Sequence, residues 1–172
     1  HNISSTFNDG KLNGEKLPVN DGHVSDFVVV AANTDSNKNS HSLSLVIVNS
    51  NQEGVKSENL ETIDPSRPSS RIVLNNADAE LLGTTGEGWE MIQKVFDRAA
   101  VLFAFEQVGG AQVALDEAKK YSLERYAFGK QIGAFQALKH KMADMYVKIE
   151  LAKSNAYYGA WALSSDSNEL PV

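Results

Sequence analysis

The chain has no cysteine, so disulfides and thiolate metal sites are excluded, a composition that fits a reducing compartment. It has only four prolines in 172 residues, three of them before residue 70. No apolar run is long enough to cross a bilayer, and the N-terminus lacks the charged-then-apolar pattern of a signal peptide. No membrane partner is expected, and the cytoplasm is the default location. Basic surface is also scarce: the formal net charge is −6, and no run of Lys or Arg is interleaved with aromatics, which argues against nucleic-acid binding. No metal site is expected either, because His23, His41 and His140 do not stand at ligand spacing with a carboxylate. What is present is a hydrophobic fraction of 42%, enough for a real core. The chain starts at His1 inside a strand-like region and stops just after a helical one, as a piece of a longer protein would.

Residues 3 to 82 read as short β-branched runs separated by turns. Lys11 to Leu17 reads as a hairpin around Asn13-Gly14, since that dipeptide accepts positive φ. Asn20-Asp21-Gly22 is a second turn. Phe27 to Ala32 is apolar enough for a central strand, followed by a polar loop from Thr34 to His41. Leu43, Leu45 and Ile47 then alternate with Ser44, Val46 and Val48. A strand from Gly54-Val55 to about Glu61, a proline-broken loop from Asp64 to Ser70, and two strands at Arg71 to Leu74 and Ala79 to Leu82 complete the region. Gly83 to Gly88 is a glycine-rich linker. It lacks the Lys-Ser/Thr ending of a phosphate loop, so it reads as a hinge into a helix.

From Trp89 to Tyr121 apolar residues recur at helical spacing, and a second stripe runs through Phe135, Leu138, Met142, Met145, Ile149, Ala152, Ala156, Ala160 and Leu163. Ala99 to Phe105 is apolar on every face, which calls for more covering protein than one partner helix supplies. Gly109-Gly110 reads as an interruption at a close helix crossing. Strands in series followed by helices in series imply an α+β fold, an antiparallel β-sandwich or barrel feeding a long antiparallel helical hairpin. The expected divisions are residues 1–83 for the β domain, 84–88 for the linker and 89–172 for the start of a helical domain.

Between the helices Gly129 and Gly133 are read as stopping one helix and reversing the chain. Arg125, Phe128 and Gln136 stand at this joint. A guanidinium fork suits a phosphate, a ring offers a stacking face and a carboxamide pairs with a heterocycle or phosphate oxygen. The alternative is purely local, with Arg125 capping helix carbonyls and the two Phe side chains filling the hairpin. Glu106 follows the apolar run, where burial would raise its pKa and suit it to act as a base; a solvent-facing or Arg-paired Glu is the other reading. Phe96, Phe103 and Phe105 are either pocket lining or core. Glu117, Glu124 and Asp144 read as structural, and Asp97-Arg98 and Asp116-Glu117 as solvated helix charges.

The joint resembles a known family. Tyr121, Arg125, Phe128-Gly129-Lys130, Ile132-Gly133 and Phe135-Gln136, followed by Met142-Ala143-Asp144-Met145, are similar to the C-terminal signature of the flavin-dependent acyl-CoA dehydrogenases, and the order of the β region with its glycine-rich exit extends the resemblance over nearly the whole chain. The resemblance implies a β domain joined to the first part of a C-terminal helical bundle. It also implies oxidation of an acyl-CoA by FAD in fatty-acid or related catabolism, and a homo- or hetero-oligomer, such as a dimer of dimers, served by an electron-transfer flavoprotein. Arg125, Phe128 and Gln136 would then reach the pyrophosphate and adenosine of an FAD held chiefly by a neighbouring subunit. Asn20 would stand near the flavin's reactive edge, Phe96 and Phe103 near the acyl group. Departures accompany the matches. Pro18-Val19-Asn20 replaces the family's Trp-Ile-Thr run, Ala99 matches the position where some members carry the catalytic Glu, and Ala100 replaces an adjacent Arg, with Arg98 two residues away. The resemblance therefore also accommodates a non-catalytic partner subunit, or a scaffold without flavin.

Overall fold

The structure, a computed structural model, describes residues 3–34, 43–165 and 167; His41 and most of the polar loop before it lie outside these. The chain forms two compact units, residues 1–93 and 94–172.

The first unit is a six-stranded, barrel-like sheet of β1 (Thr6–Asn8), β2 (Lys11–Asn20), β3 (Phe27–Asn33), β4 (Leu43–Asn49), β5 (Val55–Leu60) and β6 (Ser69–Leu82). The order is β2-β1-β3-β4-β6-β5, and a further β2–β6 pairing closes the first five strands on themselves. All neighbours are antiparallel except β1 and β3, which run parallel where Thr6 faces Asn33. Closure removes the free edges of those five strands and leaves β5, paired with β6 alone, as the edge strand.

Two expected features are corrected. Asn13-Gly14 is not a turn: the hairpin reverses at Asp9-Gly10, both at positive φ, and β2 runs straight through residue 14. Gly14 instead permits a close approach, because a Cβ there would lie 2.5 Å from Ser5 Oγ and 2.8 Å from Ser5 Cα. The two strands placed at 71–74 and 79–82 are one strand, β6. Its inward residues are Ser70, Ile72 and Leu74 before Asn76 and Ala77 after it, so the positive φ at Asn76 marks a bulge that shifts the facing parity by one. β2 has a register shift of the same kind between Lys16 and Val19. Pro18 sits within it, a place where a strand tolerates a missing N–H.

The core is Leu12, Val30, Ala32, Val46, Val48, Ile72, Leu74 and Ala77. In β4, Val46 and Val48 enter this core while Leu43 and Leu45 are also covered, so both faces of that strand are buried at its start. Lys16 shares the inward parity of Leu12; its Nζ donates to the Ala31 carbonyl at 2.8 Å, and burial holds its pKa below the usual lysine value. On the outer face Arg71 donates to Glu15 through Nε (2.6 Å) and Nη2 (2.9 Å), while its Nη1 stands 3.8 Å from Glu58. The glycine-rich exit docks on this unit. The Gly86 N–H donates to the buried Ser44 hydroxyl, and a Cβ on Gly88 would lie 2.8 Å from the Leu43 carbonyl oxygen.

The helix α1 runs from Gly88 to Glu124 without a break at Gly109-Gly110, where a Cβ would meet nothing within 4 Å. The expected crossing is therefore not made by any described residue. Nor is the 99–105 segment enclosed: Leu102 is 67% exposed and Phe103 48%. The second helix, α2 (Gln136–Ser164), buries Ile149, Ala156 and Ala162. Gly159 meets Val101 and the Tyr157 ring meets Phe105 edge-on at 5.2 Å, so numbering rises on α2 as it falls on α1. Among the described residues no helix is long and apolar enough to cross a membrane.

Three outcomes follow from these contacts. Gly14→Ala should cost more than about 1 kcal/mol, since both φ and Ser5 oppose a methyl group; chemical denaturation measures it. The Arg71 hydrogen bond holds the Glu15 carboxyl below its ordinary value of 4.5. That stabilisation is present above the ordinary value and lost as pH falls through the lowered one, so Arg71→Met should flatten the acid limb of a stability–pH curve. Expressed alone, these 172 residues should self-associate through the open helix faces, and a monodisperse folded monomer in light scattering would contradict the need for further covering helices.

Candidate functional site

Of the expected site residues, the structure gathers three on the joint between α1 and α2. The helix α1 ends at Glu124, ahead of both glycines. Two short strands, β7 (Tyr126–Ala127) and β8 (Lys130–Gln131), then form a hairpin whose two-residue loop is Phe128-Gly129, with φ of 54° and 76°. Positive φ at both positions is what a type I′ turn requires. Gly129 thus makes the reversal, whereas Gly133 does not: it lies in a 3₁₀ turn (Ile132–Ala134), where its missing Cβ lets the chain pack on Ser122. Ser122 is buried, and its hydroxyl donates to the Lys119 carbonyl at 2.7 Å and lies 3.9 Å from Met142 Sδ.

The local reading of the joint is corrected in two respects. The side chain that satisfies a terminal carbonyl of α1 is Gln131, whose Nε2 donates to Leu123 at 2.5 Å, rather than Arg125. Phe128 does not fill the hairpin: it is 95% exposed, touching Phe135 edge-on at a centroid distance of 6.2 Å. Holding a ring at left-handed φ costs roughly 1–2 kcal/mol, and the edge contact with Phe135 is the one ring contact of Phe128 among the described residues that can offset it. Arg125 is tied by its backbone to Tyr121 and Ile132, and its exposed guanidinium has no hydrogen bond or ion pair among the described residues. Gln136 opens α2, a helix without a side-chain N-cap or an acidic residue in its first turn. The unsatisfied N–H groups of such a terminus favour an anion.

The other expected residues are elsewhere. Asn20 ends β2 in the first unit and accepts a hydrogen bond from Ser69 Oγ at 3.3 Å. Phe96 is 63% exposed. A groove of 920 Å³ runs between α1 and α2, lined by small side chains such as Ala100, Ala104, Ala152 and Ala156, and neither Phe96 nor Phe103 faces it. Glu106 is exposed, so the burial that would suit it as a base is absent in this chain. Among the described residues no three His, Asp or Glu side chains could hold a metal ion. The sequence reading missed the groove, although its Ala and Gly periodicity on both helices is visible once the pairing is known.

The family model for the acyl-CoA dehydrogenase C-terminal domain matches residues 86–171, which include the whole joint. The chain belongs to the acyl-CoA dehydrogenase family. It is 34% identical to the CarC subunit of the caffeyl-CoA reductase–Etf complex of Acetobacterium woodii over 91% of this chain and 43% of that protein. It is 33% identical to the 3-(aryl)acrylate reductase of Clostridium sporogenes, over 88% of this chain and 42% of the relative. Among solved structures, a glutaryl-coenzyme A dehydrogenase in complex with glutaryl-CoA superposes with a TM-score of 0.88 at 32% identity, covering 94% of this chain and 43% of that one. The chain thus spans less than half the length of these acyl-CoA dehydrogenase relatives.

Proposed function

We propose that this chain forms the β domain and the first two bundle helices of an FAD-dependent acyl-CoA dehydrogenase, with the α1–α2 joint gripping the phosphate and adenosine end of the cofactor. The observation that carries this reading is the pairing of a guanidinium that no described residue engages with a strained, solvent-facing ring on one tight reversal. The residues suit such a group chemically. Arg125 offers a fork for phosphate oxygens, Phe128 a flat apolar surface, and Gln136 a carboxamide beside the uncapped start of α2. FAD, when bound, supplies acceptance of a hydride from the β carbon of an acyl thioester. This chain's share is to hold and orient the cofactor from an adjoining protomer, which makes the active form an oligomer. Asn20 is the β-domain candidate to donate near the flavin edge. Glu106 is exposed and Ala99 stands where some members carry the Glu, so neither position supplies the base in this reading. The acyl group and pathway are left to substrate panels, and Phe96 and Phe103 are candidates to line the acyl site.

Pro18, Asn20, Ala99 and Ala100 favour a second reading, in which the chain belongs to a non-catalytic or half-catalytic flavin-holding subunit that works beside a catalytic one. An electron-transfer flavoprotein is the natural redox partner in either case, as the name of the Acetobacterium woodii relative suggests. Two relatives are reductases, so the same chemistry run toward saturation belongs in the test.

Arg125→Lys keeps the charge and loses the fork, so the purified full-length variant should retain markedly less FAD than the parent protein by absorbance. Unchanged flavin content would remove Arg125 from the site. Turnover on acyl-CoA and enoyl-CoA panels, with and without a candidate partner subunit, separates the two readings: activity alone supports the first, activity only in the mixture the second.

A further inference from the structure

The chain is acidic overall, yet its cations are unevenly placed. From Lys119 to Lys141 stand Lys119, Lys120, Arg125, Lys130, Lys139 and Lys141, against the single carboxylate of Glu124. All six are exposed, and none has an ion pair among the described residues. The fold brings them together from two helices. Ser122 bonds the Lys119 carbonyl and lies against Gly133 and Met142, so the last turns of α1 and the first turns of α2 flank one knuckle. Lys130 Nζ sits 4.4 Å from the Phe135 ring centroid, beside the hairpin that carries Phe128. Asp116 and Glu117 on α1 and Asp144 on α2 lie just outside this collar.

A dinucleotide pyrophosphate carries two negative charges, and one guanidinium with a helix terminus suffices to seat it. The remaining cations are in excess of that need. Exposed like charges gathered at one point also repel one another and contribute nothing to folding. We infer that Lys119, Lys120, Lys130, Lys139 and Lys141 form a capture collar that steers the phosphates of an anionic dinucleotide onto Arg125 and is not part of the final grip. This rests on the cofactor reading above and adds a kinetic role to it. The adjacent exposed aromatic ring favours a ligand that combines phosphate with a stacking base over an acidic protein surface.

The test is stopped-flow binding of FAD to the flavin-stripped full-length protein, followed by flavin fluorescence. The association rate should fall about tenfold between about 0.05 M and about 0.5 M NaCl, because screening shortens the reach of the collar. Lys139→Glu/Lys141→Glu should associate about tenfold more slowly at low salt, lose most of the salt dependence and dissociate at the parental rate. Lys94→Glu is the control: it reverses one charge about 37 Å from Lys119 along α1, outside the collar, and should leave both rates unchanged. Parental association rates in the double variant, or a salt dependence it shares with the parent, overturn the collar while leaving Arg125 in place. So does parental FAD binding accompanied by lost salt-sensitive binding to an electron-transfer flavoprotein, which would make the collar a protein dock. Failure of the parent protein to take up FAD at any salt overturns the cofactor reading and the collar together.

Discussion

A Cβ on Gly133 would stand 3.0 Å from both the carbonyl and the hydroxyl oxygen of Ser122, closer than a carbon ordinarily comes to oxygen. That tight approach sets how α2 leaves the joint. It seats the 3₁₀ turn on the end of α1, lets Ser122 stay buried with its hydroxyl satisfied internally, and allows a reversal built on two residues. A longer connection would also turn the chain, but it would not hold Arg125, Phe128 and Gln136 on so short an arc. The exposed, left-handed Phe128 is tolerable only because the hairpin around it is fixed at both ends, by the Ile132 N–H to the Arg125 carbonyl and by the paired strands.

The β unit solves a different problem with the same economy. Fewer than one hundred residues must enclose a core with few strand edges left open, and the solution is to let one long strand serve several neighbours. β6 pairs with β2 along one side; on the other it pairs with β5 from Ser69 to Leu74 and with β4 from Ala79 to Leu82. The bulge at Asn76 falls at the changeover, where the strand must bend and re-aim its side chains.

Much of this was legible in the residues. Helix positions followed from periodicity; of the α2 stripe, Ile149 and Ala156 are buried while Met145 and Ala152 are exposed, and the buried Ala162 lies outside it. The turn at Asn20 to Gly22 and the strands at Phe27 and Val55 also follow from local signals. Asn13-Gly14 looks like a turn because Asn and Gly accept positive φ, but the close approach at Gly14 uses that freedom without reversing the chain, and the bulge at Asn76 breaks the alternation of β6 without ending the strand. Gly109-Gly110 misled for the opposite reason: a glycine pair lowers helix propensity, and tertiary context overrides it. The knuckle residues were chosen by their chemistry and by family likeness; their exposure, and the strain at Phe128, could come only from coordinates.

Because β6 pairs with both β2 and β4, loss of its hydrogen bonds near Asn76 would open the ring at two ladders in a single event, whereas β5 pairs with β6 alone and can leave while the ring persists. Amide protons of β2 and β4 should therefore share one exchange rate set by opening of the whole barrel, with those of β5 exchanging faster.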